Sequence, residues 1–160
     1  MPDPLSQTRQ TPRLRPMWKC PDCHRRFANR RQSHFCGHHD LAAHLQGKPA
    51  ATRQLYEDFV AAVQACGPVV ILPEKTRIAF QVRMSFAAVM IRSAHLVGHL
   101  VLAARHERPC FHKIDSLSPH NHVHHFRIGQ PMDLSAEFRR WLAAAYAVGE
   151  QRNLPSHSRG

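Results

Sequence analysis

The chain has 160 residues, 43% of them hydrophobic, which excludes a disordered polyelectrolyte and allows one domain with a real core plus a small appendage. No apolar run approaches the roughly 20 residues of a membrane span, and the opening MPDPLSQTRQTPRLRP lacks the apolar centre of a secretory signal. Net charge is +11: residues 1–49 carry nine basic and three acidic side chains, residues 50–160 thirteen and eight. We therefore expect a cytoplasmic protein with no membrane partner, whose electropositive front third suits a polyanion such as DNA or RNA. The plainer alternative is a basic surface that only keeps the chain soluble.

Residues 1–16, rich in proline and arginine, read as a disordered leader. Residues 17–48 follow as a small zinc knuckle. Cys20 and Cys23 have the Cys-x-x-Cys spacing that aims two thiolates at one ion, and His34 and Cys36 come after ten intervening residues. Three thiolates and an imidazole close a tetrahedral, structural site and point to zinc as the cofactor. About 30 residues cannot hold themselves together by burial alone, so the metal supplies their folding energy. His39 is an alternative to His34 as fourth ligand, and His24 and His38 stand nearby. An odd count of five cysteines argues against a disulfide framework, and Cys66 and Cys110 read as small buried hydrophobes.

Phe27 is placed as in fingers that read DNA, but pairing His34 with His38 would leave Cys36 unused between them. The four guanidiniums of Arg25, Arg26, Arg30 and Arg31 can grip phosphates without reading bases, or simply face water.

Residues 49–152 form the main domain. Leu55, Phe59, Val63 and Cys66 recur at helical spacing and predict a helix over 51–66, capped by Thr52 and stopped by Gly67-Pro68. From Thr76 to Met84 apolar residues alternate with Lys75, Arg77, Ala79, Gln81 and Arg83, which predicts a half-buried strand. Lys75, Arg77 and Arg83 would form a basic row on its outer face, suited to a nucleic-acid backbone. FAAVMIR and HLVGHLVLA are two further strands joined near Ser93-Ala94, and CFHKI is a short fourth. DSLSPHN reads as a loop, and HVHHFRI as another strand. DLSAEFRRWLAAAYAVGE is a closing helix, capped by Asp133 or Ser135, before a disordered tail over 153–160.

The predicted fold class is α+β: an antiparallel sheet of about four to five strands flanked by an N-terminal and a C-terminal helix. In the strand HVHHFRI, His122 and His124 share one face and His125 lies on the other. His122 and His124 are a candidate second site, for a metal or for acid–base work. Asp115, His112 and His99 are conceivable further donors. The structural alternative leaves these rings hydrogen-bonded at the strand's start.

The segments MWKCPDCHRRF, QSHFCGHH, GPVVILPEKTRIAFQVRMSFA, SPHNHVHHFRI and WLAAAYAVGEQ together resemble bacterial proteins in which a Cys/His zinc knuckle precedes domain of unknown function 5655. The resemblance implies that Cys20, Cys23, His34 and Cys36 occupy the knuckle positions. It also implies a glycine where His24 stands, at a turn where a positive φ is expected. The function we expect is a non-catalytic, zinc-containing binding module that contacts nucleic acid or another polyanion. The alternatives are an enzyme using the histidines at 120–125 and a protein-interaction module with a protein partner.

Overall fold

A computed structural model describes residues 14–32, 34, 36, 37 and 39–152. The greater part of the expected leader, the expected tail and His38 lie outside the described residues. The architecture is α+β. A two-residue hairpin, β1 (Trp18–Lys19) with β2 (Arg26–Phe27), precedes a short helix α1 (Leu41–Leu45) and a long helix α2 (Ala50–Gln64). Six strands follow: β3 (Val70–Pro73), β4 (Ile78–Gln81), β5 (Ser85–Ile91), β6 (Leu96–Leu102), β7 (Phe111–Ser118) and β8 (Asn121–Ile128). They form one antiparallel sheet in the order β3-β4-β5-β6-β8-β7, and α3 (Ala136–Gly149) closes the chain.

The period of the sequence explains which face is dry. Ile78 and Phe80, Ala87 and Val89, Leu96 and Leu100, and Phe126 and Ile128 alternate along their strands and are all buried. Against them lie Leu55, Phe59 and Val63 of α2 and Phe138, Leu142 and Ala145 of α3. Phe59 sits 5.3 Å from Phe80 and 5.7 Å from Phe126, whose ring meets Phe138 edge-on at 5.0 Å. Each such side chain contributes about 2–3 kcal/mol on burial, so this cluster outweighs any polar contact in the domain.

The sheet has six strands rather than four or five. The strand not foreseen is β3, a four-residue edge ending in Pro73: its apolar run Val70-Ile71-Leu72 is too short and too uniform to show a period, and its residues are half-buried or exposed. The strand foreseen over Thr76–Met84 shortens to Ile78–Gln81. Lys75 and Thr76 occupy the preceding turn, and a register shift between Phe80 and Gln81 comes just before the last pair, Gln81 with Ser85. Arg83 and Met84 then both donate their backbone N–H to the Gly149 carbonyl at the end of α3. The basic row along one strand therefore does not exist. Of its outer residues, Ala79 and Gln81 are buried.

CFHKI lengthens to Phe111–Ser118, and four residues assigned to the following loop join the strand. As an edge strand with one wet side, β7 can carry Lys113, Asp115, Ser116 and Ser118, which disguises it. Thr52 does not cap α2. Pro49 stands at the N-cap, and the Thr52 hydroxyl donates to the Ser93 carbonyl at 2.9 Å, tying the helix to the β5–β6 turn. Ser135 caps α3 as expected, accepting from the Phe138 N–H at 3.1 Å. Gly67 ends the turn after α2 at φ +145°, where a Cβ would stand 2.5 Å from Tyr146 Oη. That hydroxyl donates to the Pro68 carbonyl at 2.6 Å.

Candidate metal centre and the adjoining sheet face

The β1–β2 hairpin sets the first two sulfurs. Trp18 pairs with Phe27 and Lys19 with Arg26, and the Cys20 N–H and carbonyl close the turn onto Arg25 and His24. His24 takes φ +61°, the left-handed conformation expected of a glycine there. Phe27 is 3% exposed, and its ring lies 4.1 Å from that of His34, which brings the second pair of donors back over the hairpin.

One donor atom from each of Cys20, Cys23, His34 and Cys36 lies within 4.8 Å of the others. Cys20 Sγ is 3.7 Å from Cys36 Sγ, and His34 Nε2 is 3.3 Å from Cys23 Sγ and 3.2 Å from Cys36 Sγ. A tetrahedron with metal–sulfur bonds of about 2.3 Å has sulfur–sulfur edges of about 3.8 Å, so the donors fit an ion of that kind.

The tautomer is set as well. His34 Nδ1 donates to the Gln32 carbonyl at 2.6 Å, which leaves the Nε2 lone pair facing the thiols. The Cys20 thiol is lowered to about 6, chiefly by a backbone N–H from Cys23. Burial, together with the two neighbouring thiols, raises Cys36 to about 11. Cys23 is lowered too, its burial outweighed by hydrogen bonds, so the arrangement favours the Cys20 and Cys23 thiolates and leaves Cys36 in need of a cation to ionise. His39 is not in this set, so His34 is the histidine that the fold brings to the thiols. Among the described residues this is the one group of Cys, His, Asp or Glu close enough to hold a metal.

The expected phosphate-gripping residues separate. The Arg25 guanidinium donates to the Gly37 carbonyl at 2.9 Å and braces the two arms of the cluster. Arg26, Arg30 and Arg31 are exposed, Arg31 at φ +55°. Arg83 donates through Nε to Gln151 at 2.9 Å and through Nη2 to the Arg15 carbonyl, so it clamps the chain ends. Lys75 and Arg77 line a groove of about 550 Å³ between the metal centre and β3–β4, together with Arg25, His34, His39 and Gln81. Buried Gln81 donates to the Arg26 carbonyl at 2.7 Å and fastens the cluster to the sheet. Arg77 also pairs with Glu74 at 2.7 Å.

The histidines divide as the strand pleat dictates. His124 is fully buried. Its Nδ1 donates to the His122 carbonyl at 2.9 Å, and its Nε2 accepts the His106 N–H at 3.0 Å. No lone pair remains for a metal. His122 braces the hairpin, with Nδ1 2.7 Å from the Ser116 hydroxyl and Nε2 donating to the Pro119 carbonyl at 3.2 Å. His125 faces the other way. It is cross-strand from His99 and Lys113, and its Nε2 donates to Asp115 at 2.9 Å. That hydrogen bond, helped by Lys113, holds the Asp115 carboxyl below its ordinary range. The His99 and His112 rings lie 6.0 and 6.3 Å from that of His125. Burial, and then the Arg77 guanidinium, lowers His99 to about 4.

The sequence offered His122 and His124 as a pair, with Asp115, His112 and His99 as conceivable further donors that it could not place; the structure sets those three around His125 instead. The cluster forms across β6, β7 and β8, and only the register puts His99 and Asp115 beside His125. No helix among the described residues is long and apolar enough to cross a membrane.

Fold and site together define an α+β domain with a compact Cys₃His cluster fastened to one side of its sheet. A family described as Domain of unknown function (DUF5655) matches residues 41–149, and the chain belongs to it. The four metal-site residues precede the matched segment. No curated protein and no solved structure matches the chain.

Proposed function

We propose that this protein is a cytoplasmic, non-catalytic binding module in which a zinc knuckle over 17–48 and the domain over 49–152 jointly contact nucleic acid. The observation that carries this reading is the groove between the Cys₃His cluster and the β3–β4 turn, lined by Arg25, Lys75 and Arg77. Zinc is the ion that three thiolates and an imidazole select, and its role is to fix the loop that forms one wall. Arg26, Arg30 and Arg31, all exposed on that loop, extend the positive surface. Phosphate contacts of this kind give affinity and register without sequence preference.

Arg83 contributes by positioning the turn after β4 rather than by touching the ligand. The free cysteines suit a reducing compartment. The enzyme reading gains nothing from His122 and His124, whose ring nitrogens are engaged.

Elemental mass spectrometry of tag-free protein should give one zinc per chain. Fluorescence anisotropy with labelled DNA and RNA oligonucleotides should give affinity that falls with salt, and Lys75→Ala/Arg77→Ala should flatten that slope. Absence of salt-dependent binding to either nucleic acid defeats the proposal.

A further inference from the structure

The groove has a neighbour of different chemistry. On the face of the sheet away from the helices, Ala79, Ala88, His99, His125 and Lys113 lie in one cross-strand row. A second concavity of about 290 Å³ opens there, with Met90 and Val97 as apolar floor and His99, His112 and His125 around it. Arg77 lines both concavities.

We infer that this pocket seats an unstacked nucleobase of a single-stranded nucleic acid, whose phosphates run past Arg77 into the groove beside the metal centre. The inference rests on the nucleic-acid reading and says which form of the ligand the surface takes.

Three observations carry it. The floor is apolar and the rim is planar and polar, the combination that a base needs for stacking and for hydrogen bonds to its edge. Asp115 fixes the His125 ring through Nε2–H, so one imidazole is held in place before any ligand arrives. Arg77, the one fixed cation in the pocket's lining, is compensated by Glu74, and Lys113 beside the pocket by Asp115, whereas among the described residues Arg26, Arg30 and Arg31 of the Cys/His loop are exposed and form no ion pair. A bare phosphate is therefore better served beside the loop, and a neutral ring better served here. Arg77 is about half exposed. A surface pair such as Arg77–Glu74 is weak enough for a passing phosphate to displace the carboxylate.

A base can enter only if it is not paired and stacked in a duplex. The sheet face would then discriminate strandedness while the groove supplies affinity.

The experiment measures anisotropy with the full chain, zinc-loaded, and three ligands of one sequence: single-stranded RNA, its duplex, and the single strand with scattered abasic positions. Single-stranded DNA serves as a fourth. The single strands should bind at least about fivefold tighter than the duplex and the abasic strand, the lower bound for losing one stacked base. His125→Ala should remove that preference while leaving the salt slope intact. Its fold is checked by thermal unfolding, and the abasic comparison needs only the wild-type protein. Equal affinity for single strand, duplex and abasic strand, with salt dependence preserved, overturns the base pocket but leaves the phosphate groove standing. No affinity for any of them overturns both.

Discussion

His124 gives the sharpest test of how the histidine-rich strand is used. Its side chain is fully buried, wedged against Phe111 at 4.9 Å and His106 at 6.1 Å, with one hydrogen bond given and one accepted. Replacing it with leucine, of similar bulk, keeps much of the packing but leaves the partly buried His106 N–H and His122 carbonyl without that partner. Each orphaned group costs about 1–3 kcal/mol, so His124→Leu should destabilise by roughly 2–4 kcal/mol once partial relaxation is allowed. For a domain of about 100 residues that is a fall in Tm of roughly 10–20 °C. Differential scanning calorimetry measures it, and elemental analysis of the same sample should still give the wild-type metal content. A variant with unchanged Tm but less metal would refute the reasoning, because it would make His124 a ligand rather than a core residue. His122→Ala, at the exposed end of the hairpin, should cost much less, about 1 kcal/mol or under.

Four further outcomes follow from the geometry. Chelating the metal, or replacing Cys20 or Cys36 with serine, should abolish protection of the 17–39 region from proteolysis, with the far-UV spectrum of the domain retained. Complete unfolding would show that the cluster is needed by the sheet as well. His24→Gly should relieve the left-handed strain, worth up to about 1 kcal/mol, and slow metal loss to a competing chelator; faster loss would overturn the strain argument. Gly98→Ala should be severe, since a Cβ there would stand 2.2 Å from the Ala88 carbonyl oxygen and 2.9 Å from Phe126, and a soluble, normally stable variant would contradict the strand register. Stability should also fall in mild acid. His99 takes up its proton in the folded state only near pH 4, whereas the unfolded chain does so near the ordinary 6.5. Below 6.5 the unfolded state therefore binds more protons, and stability present above that pH drains away down to about 4, by at most about 3 kcal/mol. Urea midpoints at pH 7, 6 and 5 should show that slope shrinking in His99→Gln, and an identical slope in the variant would count against it.

What the sequence made legible is what local pattern controls. The helical spacing of Leu55, Phe59 and Val63 and of Phe138, Leu142 and Ala145 fixed both long helices, and the Cys-x-x-Cys with His34 and Cys36 marked the donors that the fold brings together. The positive φ at His24 was also anticipated from the resemblance. The parts that escaped depend on partners distant in the chain. β3 is an apolar run too short to show a period, and it is its pairing with β4 that makes it a strand. Thr52 has a better acceptor in Ser93 than its own helix provides. Gln81 looked solvent-facing by alternation, yet it is buried because the Cys/His loop accepts its amide proton.

That last bond ties the Cys/His loop to the open face of the sheet. An antiparallel sheet with helices on one face leaves the other face to water or to a ligand. Here the Arg26 carbonyl meets Gln81 at the β4 end of that face, while the β6–β8–β7 end keeps its imidazoles accessible. Arg77 stands between the two regions and lines the concavity on either side. If the Cys/His cluster holds the proposed ion, the loop's shape should depend on it and the groove should be complete only when the ion is bound. The histidine pocket is built from β5–β8 and Arg77, with no residue of the Cys/His cluster in its lining. Removing the ion should therefore weaken the salt-dependent part of binding first and leave the preference for an unpaired base in place. Loss of both together would mean that the sheet face and the loop are one cooperative unit.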